Sequence, residues 1–291
     1  MNAGNTRVNA PVAEQDWSGW VGRSETCDDL VSADRVAALA ATLDLDMASG
    51  EGDLLPPGWH WIFFNKMVNR REIGLDGHPK RGGFLPPISL PRRMWAGSRI
   101  TYNGGMIIGE VSKRTSIISK IEAKKGRGGE LVFVTVTHTI RCRDRDCVVE
   151  EQDIVYREPP APNAQSVSLT PGPELAEWQQ EVTPDTVLLF RYSALTYNGH
   201  RIHYDLPYAR DEEGYPNLVV HGPLTATLLQ NFAMACALGR RLKRFEFRGV
   251  HPLFVSSPFS LEAAKNGDGA LKLWARGPQG ELAMQASAIL D

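Results

Sequence analysis

The chain carries VVHGPLTATLLQNFAMACAL at residues 219–238, and this stretch decides the fold. Proline at position 223 suits the first turn of a helix, and Gly239 follows the last apolar residue, where helices commonly end. The segment between them is apolar on almost every face, which predicts a buried helix from about Pro223 to Leu238. Gln230 and Asn231 interrupt the apolar run, which is too short to span a membrane.

Strand patterns surround this helix. Runs of apolar and β-branched residues, separated by glycine-rich turns, are typical of an antiparallel meander. The predicted strands after the helix are Lys243–Arg248, Pro258–Ala264, Ala270–Arg276 and Glu281–Leu290. Before it, the apolar residues of Thr186–Tyr192 also predict a strand.

The first half of the chain repeats this order of elements. Ser32-Ala33-Asp34 is typical of a helix start, and the apolar spacing predicts a helix that runs to about Leu45. The strands predicted after it are Ser98–Asn103, Ile107–Ile121, Glu130–Arg141 and Cys147–Arg157. A helix wrapped by a curved antiparallel sheet, occurring twice, predicts an α+β double hot-dog fold with two sheets, each around a central helix.

A linker separates the two halves. Residues 158–165 read EPPAPNAQ, and proline at this density favours an extended path that is incompatible with a helix. We therefore predict an N-terminal hot-dog over residues 1–158 and a C-terminal hot-dog over residues 166–291.

Composition narrows the class of protein. The 291 residues carry a formal net charge of −2, which argues against a broad nucleic-acid-binding face. The N-terminus lacks the pattern of a signal peptide, and the spacing of the four cysteines matches neither a zinc site nor a disulfide framework. We expect a cytoplasmic protein that does not bind membranes or metals. A double hot-dog already contains a pseudo-dimer, so both a monomer and a homodimer are open.

A short polar segment contains two of the seven histidines, in the sequence LTYNGHRIHYDLPYA at residues 195–209. It resembles the hydratase motif of the MaoC-like (R)-specific enoyl-CoA hydratases, in outline Asp-x-Asn-Pro-x-His-x-Asp-Pro-x-Tyr-Ala. His203 falls on the catalytic histidine of that family, and Asn198 falls where the family has its catalytic aspartate. The pair His221-Gly222 resembles the second landmark of the family, which opens the hot-dog helix.

A closer resemblance accounts for the asparagine. The segments FRYSALT at 190–196, WVGR at 20–23 and LPRRMWAG at 90–97 are similar to the branch that contains mesaconyl-C4-CoA hydratase and the mitochondrial type-2 hydroxyacyl-thioester dehydratase. That branch carries Asn in this place. The resemblance covers most of the chain, and it implies an acyl-CoA substrate and no cofactor.

The chemistry that the resemblance implies suits these residues. Histidine is the natural acid–base group near neutral pH, so His203 is the expected base. Asn198 cannot accept a proton and is expected to orient the water. Gly222 is predicted at a helix N-terminus, where its N–H and the helix dipole can stabilise an oxyanion on the thioester. His221 either lines the pocket or holds the loop through hydrogen bonds.

Several charged residues have more than one interpretation. Arg201 could bind a second carboxylate on a dicarboxylic acyl group, although an arginine on the solvated surface is the more common arrangement. Arg92 and Arg93 adjoin a long Gly/Pro-rich loop and are candidates to touch the substrate from the first half. Asp205 is expected to cap the turn that follows it rather than to act as a base.

The sequence thus predicts a hydro-lyase that adds or removes water at the double bond of an enoyl- or 3-hydroxyacyl-CoA. The resemblance implies a dicarboxylic acyl group, as in mesaconyl-C4-CoA or itaconyl-CoA. The first half, which has no counterpart of the motif, is expected to be non-catalytic. Two alternatives stay open: a non-catalytic acyl-thioester binding protein, which Asn198 would favour, and a hot-dog thioesterase, which would need a carboxylate in its place.

Overall fold

The strands form one sheet. The computed structural model describes residues 15–46, 50–126, 129–158, 169–237 and 239–291, so the predicted linker, apart from Glu158, lies outside the described residues. All pairings in the ten-stranded sheet are antiparallel. The strands are β1 (Ser24–Leu30), β2 (Arg92–Tyr102), β3 (Val111–Gly126), β4 (Gly129–Cys142), β5 (Arg145–Arg157), β6 (Trp178–Val182), β7 (Leu242–Gly249), β8 (Phe259–Lys265), β9 (Ala270–Arg276) and β10 (Leu282–Leu290).

The strand order reveals an internal repeat. Strands follow one another as β1-β3-β4-β5-β2 in the first half and, in mirrored sequence, as β7-β10-β9-β8-β6 in the second. The halves meet where β2 pairs with β7, from Gly97 opposite Arg248 to Thr101 opposite Arg244. A Cβ at Gly97 would lie 2.3 Å from the carbonyl oxygen of Phe247, so only glycine allows this approach. The two predicted sheets are therefore joined into one.

The buried helix of the second half is confirmed. It is α3 (Gly222–Cys236), with proline in its first turn, and it packs on β7, β8, β9 and β10. Leu224, Ala226, Leu229 and Ala233 are fully buried on it. Each buried leucine of this kind stabilises the fold by about 1.5–3 kcal/mol. This helix therefore anchors the half of the molecule that carries the predicted motif.

The predicted strand at Thr186–Tyr192 is wrong, because this segment is helix α2 (Thr186–Leu195). The side chain of Asp185 caps its first turn by accepting a hydrogen bond of 2.7 Å from the N–H of Leu188. Leu189, Tyr192 and Ser193 are buried at the spacing of one helical face. The apolar run is equally compatible with a strand, and the cap together with tertiary packing decides for the helix.

The first half contains a shorter helix, α1 (Ala33–Thr42), which ends before the predicted Leu45. Its buried residues Val36, Leu39 and Ala40 belong to an apolar core that also includes α3 and strands of both halves. Among the helices of the described residues, none has the length and apolar character needed to cross a membrane.

Candidate active site

A cavity of about 780 Å³ lies between the two halves. Both halves contribute to its wall, and the second half supplies all three of the predicted catalytic and oxyanion residues: Asn198, His203 and Gly222. The volume is in the range of small-molecule binding sites. The sequence motif and the helix start, which are separate in the chain, therefore face one ligand space.

The turn after α2 places His203. The N–H of Asn198 donates to the carbonyl of Ser193 (2.8 Å) at the end of the helix, and Tyr197 has a positive φ of 50° that reverses the chain. A 3₁₀ turn over Arg201–His203 follows. Asp205 caps the next turn, as predicted, since it accepts a hydrogen bond from the N–H of Tyr208 (3.1 Å).

The imidazole of His203 has one nitrogen tied to the backbone. Its Nδ1 lies 2.7 Å from the carbonyl oxygen of Val219, and because a carbonyl only accepts, Nδ1 carries the proton. Nε2 is then the unprotonated nitrogen of a ring that lines the cavity. Burial lowers the pKa of His203 to about 4, although the bond to Val219 opposes this shift. The ring is thus neutral at pH 7 and can accept a proton.

His221 lies behind His203 rather than on the cavity wall. The two rings stack with centroids 3.7 Å apart, and His221 is fully buried. Its Nε2 is 2.8 Å from the hydroxyl of Ser193, and burial followed by the nearby His203 and His200 holds its pKa well below the usual range. Of the two predicted roles, the structure favours holding the loop, because no part of the ring reaches the ligand space.

The amide of Asn198 has a defined orientation. Its Oδ1 accepts a hydrogen bond of 3.0 Å from the N–H of His200, which only the amide oxygen can do. The NH₂ group is therefore left as a donor on a side chain that lines the cavity. A donor in this place can hold the oxygen of a water molecule but cannot take its proton.

Gly222 begins α3 and lines the cavity. The first N–H groups of a helix have no acceptor within it, and Pro223 has no N–H, so the N–H of Gly222 is one of few free donors here. A Cβ built on Gly222 would meet nothing within 4 Å. The protein itself therefore leaves room for a side chain at this position. The absence of one would let a ligand in the cavity approach the backbone closely.

A loop of the first half reaches this site, which sequence reasoning missed. His78 lines the cavity, and its ring centroid lies 4.2 Å from that of His200, which is 5.5 Å from His203. Asp76 accepts hydrogen bonds from the N–H of His78 (3.0 Å) and, at 3.1 Å, from its Nδ1. The length of the Gly/Pro-rich segment from Asp76 to Pro91 was the only sequence signal for these residues.

This loop is fastened to the catalytic turn by backbone contacts. The carbonyl of Asp76 accepts from the N–H of Arg201 (3.0 Å). A Cβ at Gly77, where φ is +89°, would lie 1.8 Å from the carbonyl oxygen of Gly199. Both the positive φ and the close approach require glycine here.

The three predicted substrate-binding arginines lie in different places. Arg93 lines the cavity. Arg92 is paired with Glu213 (3.2 Å) and Arg201 with Asp205 (2.7 Å), and neither side chain is on the wall of this cavity. Both arginines therefore have a carboxylate partner within the chain and lie outside the wall of this cavity, whereas Arg93 lies in it. Contact of Arg92 and Arg201 with the substrate stays a prediction.

The first half holds a separate buried polar cluster that also borders the cavity. Glu150 accepts hydrogen bonds from the hydroxyl of Ser98 (2.8 Å) and the indole of Trp61 (3.1 and 3.2 Å), and pairs with Nε2 of His60 (3.0 Å). Although burial opposes it, the bond from His60 lowers the pKa of Glu150 to about 2. No sequence motif marked this cluster, because its members come from three distant segments.

Comparisons with known proteins give the relatives of this chain. The sequence profile of the family described as hydroxyacyl-thioester dehydratase type 2 matches residues 58–255. The chain is 45% identical over 280 residues to the mesaconyl-C(4)-CoA hydratase of Chloroflexus aurantiacus, covering 96% of this chain and 99% of that protein. It is 27% identical over 242 residues to the mitochondrial hydroxyacyl-thioester dehydratase type 2 of Schizosaccharomyces pombe, covering 74% and 79%.

Solved structures support the fold. A MaoC-like dehydratase from Phytophthora capsici has a TM-score of 0.66 at 10% identity, over 92% of this chain and 94% of that one. A Mycobacterium tuberculosis protein described as having a double hotdog fold has a TM-score of 0.54 at 14% identity, over 97% and 98%. At these identities the likeness concerns the fold alone.

Proposed function

The chain belongs to the hydroxyacyl-thioester dehydratase type 2 family and is a hydro-lyase of acyl-CoA thioesters, and we propose that mesaconyl-C4-CoA is its substrate. Identity of 45% to a mesaconyl-C(4)-CoA hydratase over nearly the whole of both chains supports this choice of acyl group. Itaconyl-CoA, a second dicarboxylic thioester, is the alternative acyl group within the same reaction class.

One observation carries the mechanism: His203 has its Nδ1 proton bound by the carbonyl of Val219, while the rest of its ring lines the cavity. In hydration, Nε2 of His203 takes a proton from water as the water oxygen bonds to the β-carbon. The electron pair of the double bond moves to the thioester oxygen, and the N–H of Gly222 stabilises that charge. The imidazolium then returns its proton to the α-carbon, so one group serves as base and acid in turn.

Asn198 holds the attacking water through its NH₂ group in this proposal. The depressed pKa of His203 fits the role, because a base must be neutral before it acts. It also makes the imidazolium a strong acid, which favours proton return to the carbanion. An aspartate is then not needed at position 198.

We assign the chemistry to the C-terminal half, residues 166–291, and a supporting role to residues 1–158. In the proposed double hot-dog, the second half of the sheet wraps α3, whereas α1 of the first half packs against α2. The first half nevertheless lines the cavity, so it shapes the acyl site. A cytoplasmic location and an assembly as monomer or homodimer stay predictions.

A hydration assay tests the function. Purified protein is given crotonyl-CoA, mesaconyl-C4-CoA and itaconyl-CoA, and loss of the enoyl thioester is followed alongside release of free CoA. We expect hydration of mesaconyl-C4-CoA, with kcat/KM lowered about a hundredfold or more in His203→Ala. Release of CoA without hydration would instead indicate a thioesterase.

Binding of all three thioesters without turnover would indicate a binding protein and contradict the proposal. Asn198→Ala serves as the second variant, with Asn103→Ala, an exposed asparagine, as its control. We expect Asn198→Ala to lower kcat by about tenfold, since it removes a water-holding bond but leaves the base.

A further inference from the structure

We propose that Arg93 binds a carboxylate that the substrate carries on its β-carbon, the carbon to which water adds. The inference rests on the proposed function and names the residue that recognises the acyl group. Mesaconyl-C4-CoA has such a group, because its free carboxylate and its methyl group are both bonded to the carbon β to the thioester.

Arg93 differs from Arg92 and Arg99, which lie on the same strand, in its charge partners. Arg92 pairs with Glu213, and Arg99, on the same strand, pairs with Glu151 and Asp153. Among the described residues, Arg93 forms no ion pair with an aspartate or glutamate, although it is half-buried in the cavity wall. A partly buried cation without an anion is costly, so a ligand with a negative group would stabilise this arrangement.

The charge of Arg93 acts at the catalytic end of the cavity. Burial is the main cause that lowers the pKa of His78, and the charge of Arg93 lowers it further. The pKa of His200 is lowered to about 2 by burial, by the other histidines and, to a smaller extent, by Arg93. His200 is the ring next to His203. Arg93, His78, His200 and His203 thus face a common space.

The position of the reacting carbon fits this space. The β-carbon must come within about 3–3.5 Å of the water that His203 activates. A carboxylate bonded directly to the β-carbon therefore lies near the imidazole of His203. A nearby cation would decide to which side of the imidazole the carboxylate points. Arg93 is placed to attract it toward His200 and His78, which leaves the thioester end directed at Gly222.

Asp76 is the acidic group closest to competing for Arg93. Both of its carboxylate oxygens accept hydrogen bonds from His78. Although burial opposes it, these bonds and the charge of Arg93 hold the pKa of Asp76 well below its usual value. Asp76 is therefore engaged by His78. Arg93 also lies against the hydroxyl of Tyr156, whose pKa burial raises and the charge of Arg93 lowers. A guanidinium has five N–H donors, so others remain for a ligand.

Two further arginines, Arg114 and Arg157, line the cavity and are the alternatives. Arg114 donates to the carbonyl of Phe64 (3.0 Å) and lies over the ring of that residue. Its charge acts on His138 in the first half: burial lowers the pKa of His138 most, Glu150 raises it, and Arg114 lowers it further. Among the described residues, neither of them forms an ion pair with an aspartate or glutamate either. After burial, the main charges that act on both His78 and His200 include that of Arg93 but not those of Arg114 or Arg157, which favours Arg93 for a group next to His203.

The test compares two saturated thioesters, which have no double bond to hydrate and which differ only in the group on the β-carbon. Succinyl-CoA carries a carboxylate where butyryl-CoA carries a methyl, in both on the carbon β to the thioester. Dissociation constants are measured by calorimetry for the wild type, Arg93→Gln, Arg93→Lys, Arg114→Gln and Arg157→Gln. Arg71→Gln, at an exposed arginine outside the cavity, controls for loss of one positive charge.

We expect Arg93→Gln to weaken succinyl-CoA on the order of thirtyfold or more and to leave butyryl-CoA within about threefold. Arg93→Lys should keep part of the preference, because a point charge remains but the fork of donors is lost. Retained binding of butyryl-CoA shows that each variant is folded.

Equal loss of both ligands in Arg93→Gln, or loss of the preference only in Arg114→Gln or Arg157→Gln, would overturn the assignment. A wild type that hydrates crotonyl-CoA but does not prefer succinyl-CoA would overturn the carboxylate site and leave the hydratase intact. A clear preference for succinyl-CoA without hydration of any enoyl-CoA would overturn the proposed function alone.

Discussion

The two halves of the molecule each bury a histidine beside the same cavity, but they give it different partners. In the first half, His60 faces Glu150, whose oxygens are also bound by Trp61 and Ser98. In the second half, His203 has only the neutral carbonyl of Val219 on one nitrogen. A histidine locked to a saturated carboxylate serves the fold, whereas one with a free nitrogen toward the cavity can transfer protons.

The helices of the two halves also differ in length and in what they pack against. The 15 residues of α3 pack on four strands of their half and begin at the cavity with a glycine, while α1 has 10 residues and packs against α2. The repeated strand order shows that both halves share one plan. They differ in the residues at the helix start and in the turn before it, and these residues are the ones to which we assign the chemistry.

Replacing each histidine in turn should separate stability from catalysis. His60→Gln removes a buried imidazole whose Nε2 lies 3.0 Å from the carboxylate of Glu150, so we expect the free energy of unfolding to fall by about 1.5–3 kcal/mol, the usual contribution of a hydrogen bond to a charged group. His203→Gln, the matched variant of the other half, removes no charge partner and should stay within about 1 kcal/mol of the wild type while losing activity. Urea unfolding of both variants at pH 7 measures this difference.

A larger loss of stability in His203→Gln than in His60→Gln would contradict the comparison. It would mean that the stacked pair of His203 and His221 stabilises the fold more than the buried contact of His60 with Glu150 does.

The pH dependence of stability sharpens the comparison. Burial lowers the pKa of His203 from 6.5 to about 4, so between these values the unfolded chain binds a proton that the fold does not. Stability is therefore complete above pH 6.5 and is lost as pH falls toward 4, by about 1–2 kcal/mol from this ring between pH 7 and 5. Urea unfolding at pH 7, 6 and 5 should show a shallower decline in His203→Gln than in the wild type.

His138 and His200 also have depressed pKa values, about 4 and about 2, with burial as the first cause of each. They add to the same decline in both proteins. Identical slopes for wild type and His203→Gln would show that His203 is not held neutral by the fold.

The smallest expected effect concerns the helix start. Gly222→Ala adds a methyl group that meets no protein atom within 4 Å, so stability should be unchanged, but the methyl enters the ligand space. We expect kcat/KM for the preferred thioester to fall about tenfold or more through misplacement of the thioester. Gly83→Ala is the control, since a Cβ there also meets nothing and Gly83 is outside the cavity.

If Gly222→Ala kept full activity, close approach of the substrate to this backbone would be wrong. The oxyanion would then have to be stabilised elsewhere in the cavity.

Much of the second half could be predicted from the sequence because its signals are local. The periodicity and punctuation of α3 lie within 20 residues, and the hydratase motif puts Asn198 and His203 into one turn. The apolar residues at Thr186–Tyr192 predict a strand although the segment is a helix, because a short apolar run has no decisive period. There the side-chain cap of Asp185 and the burial of one face settled the outcome.

By itself, the sequence determined the type of fold, the repeat of a helix with a meander, and the presence of a histidine and a glycine suited to hydration. Only the tertiary structure decided which residues share the cavity. It brought the ring centroids of His78 and His200 to 4.2 Å, although the two residues are far apart in the chain. It also placed Arg93, but not Arg92 or Arg201, in the cavity wall, and it joined the two sheets through β2 and β7. The physical reason is that periodicity and capping act between near neighbours, whereas these contacts arise from the packing of one half on the other.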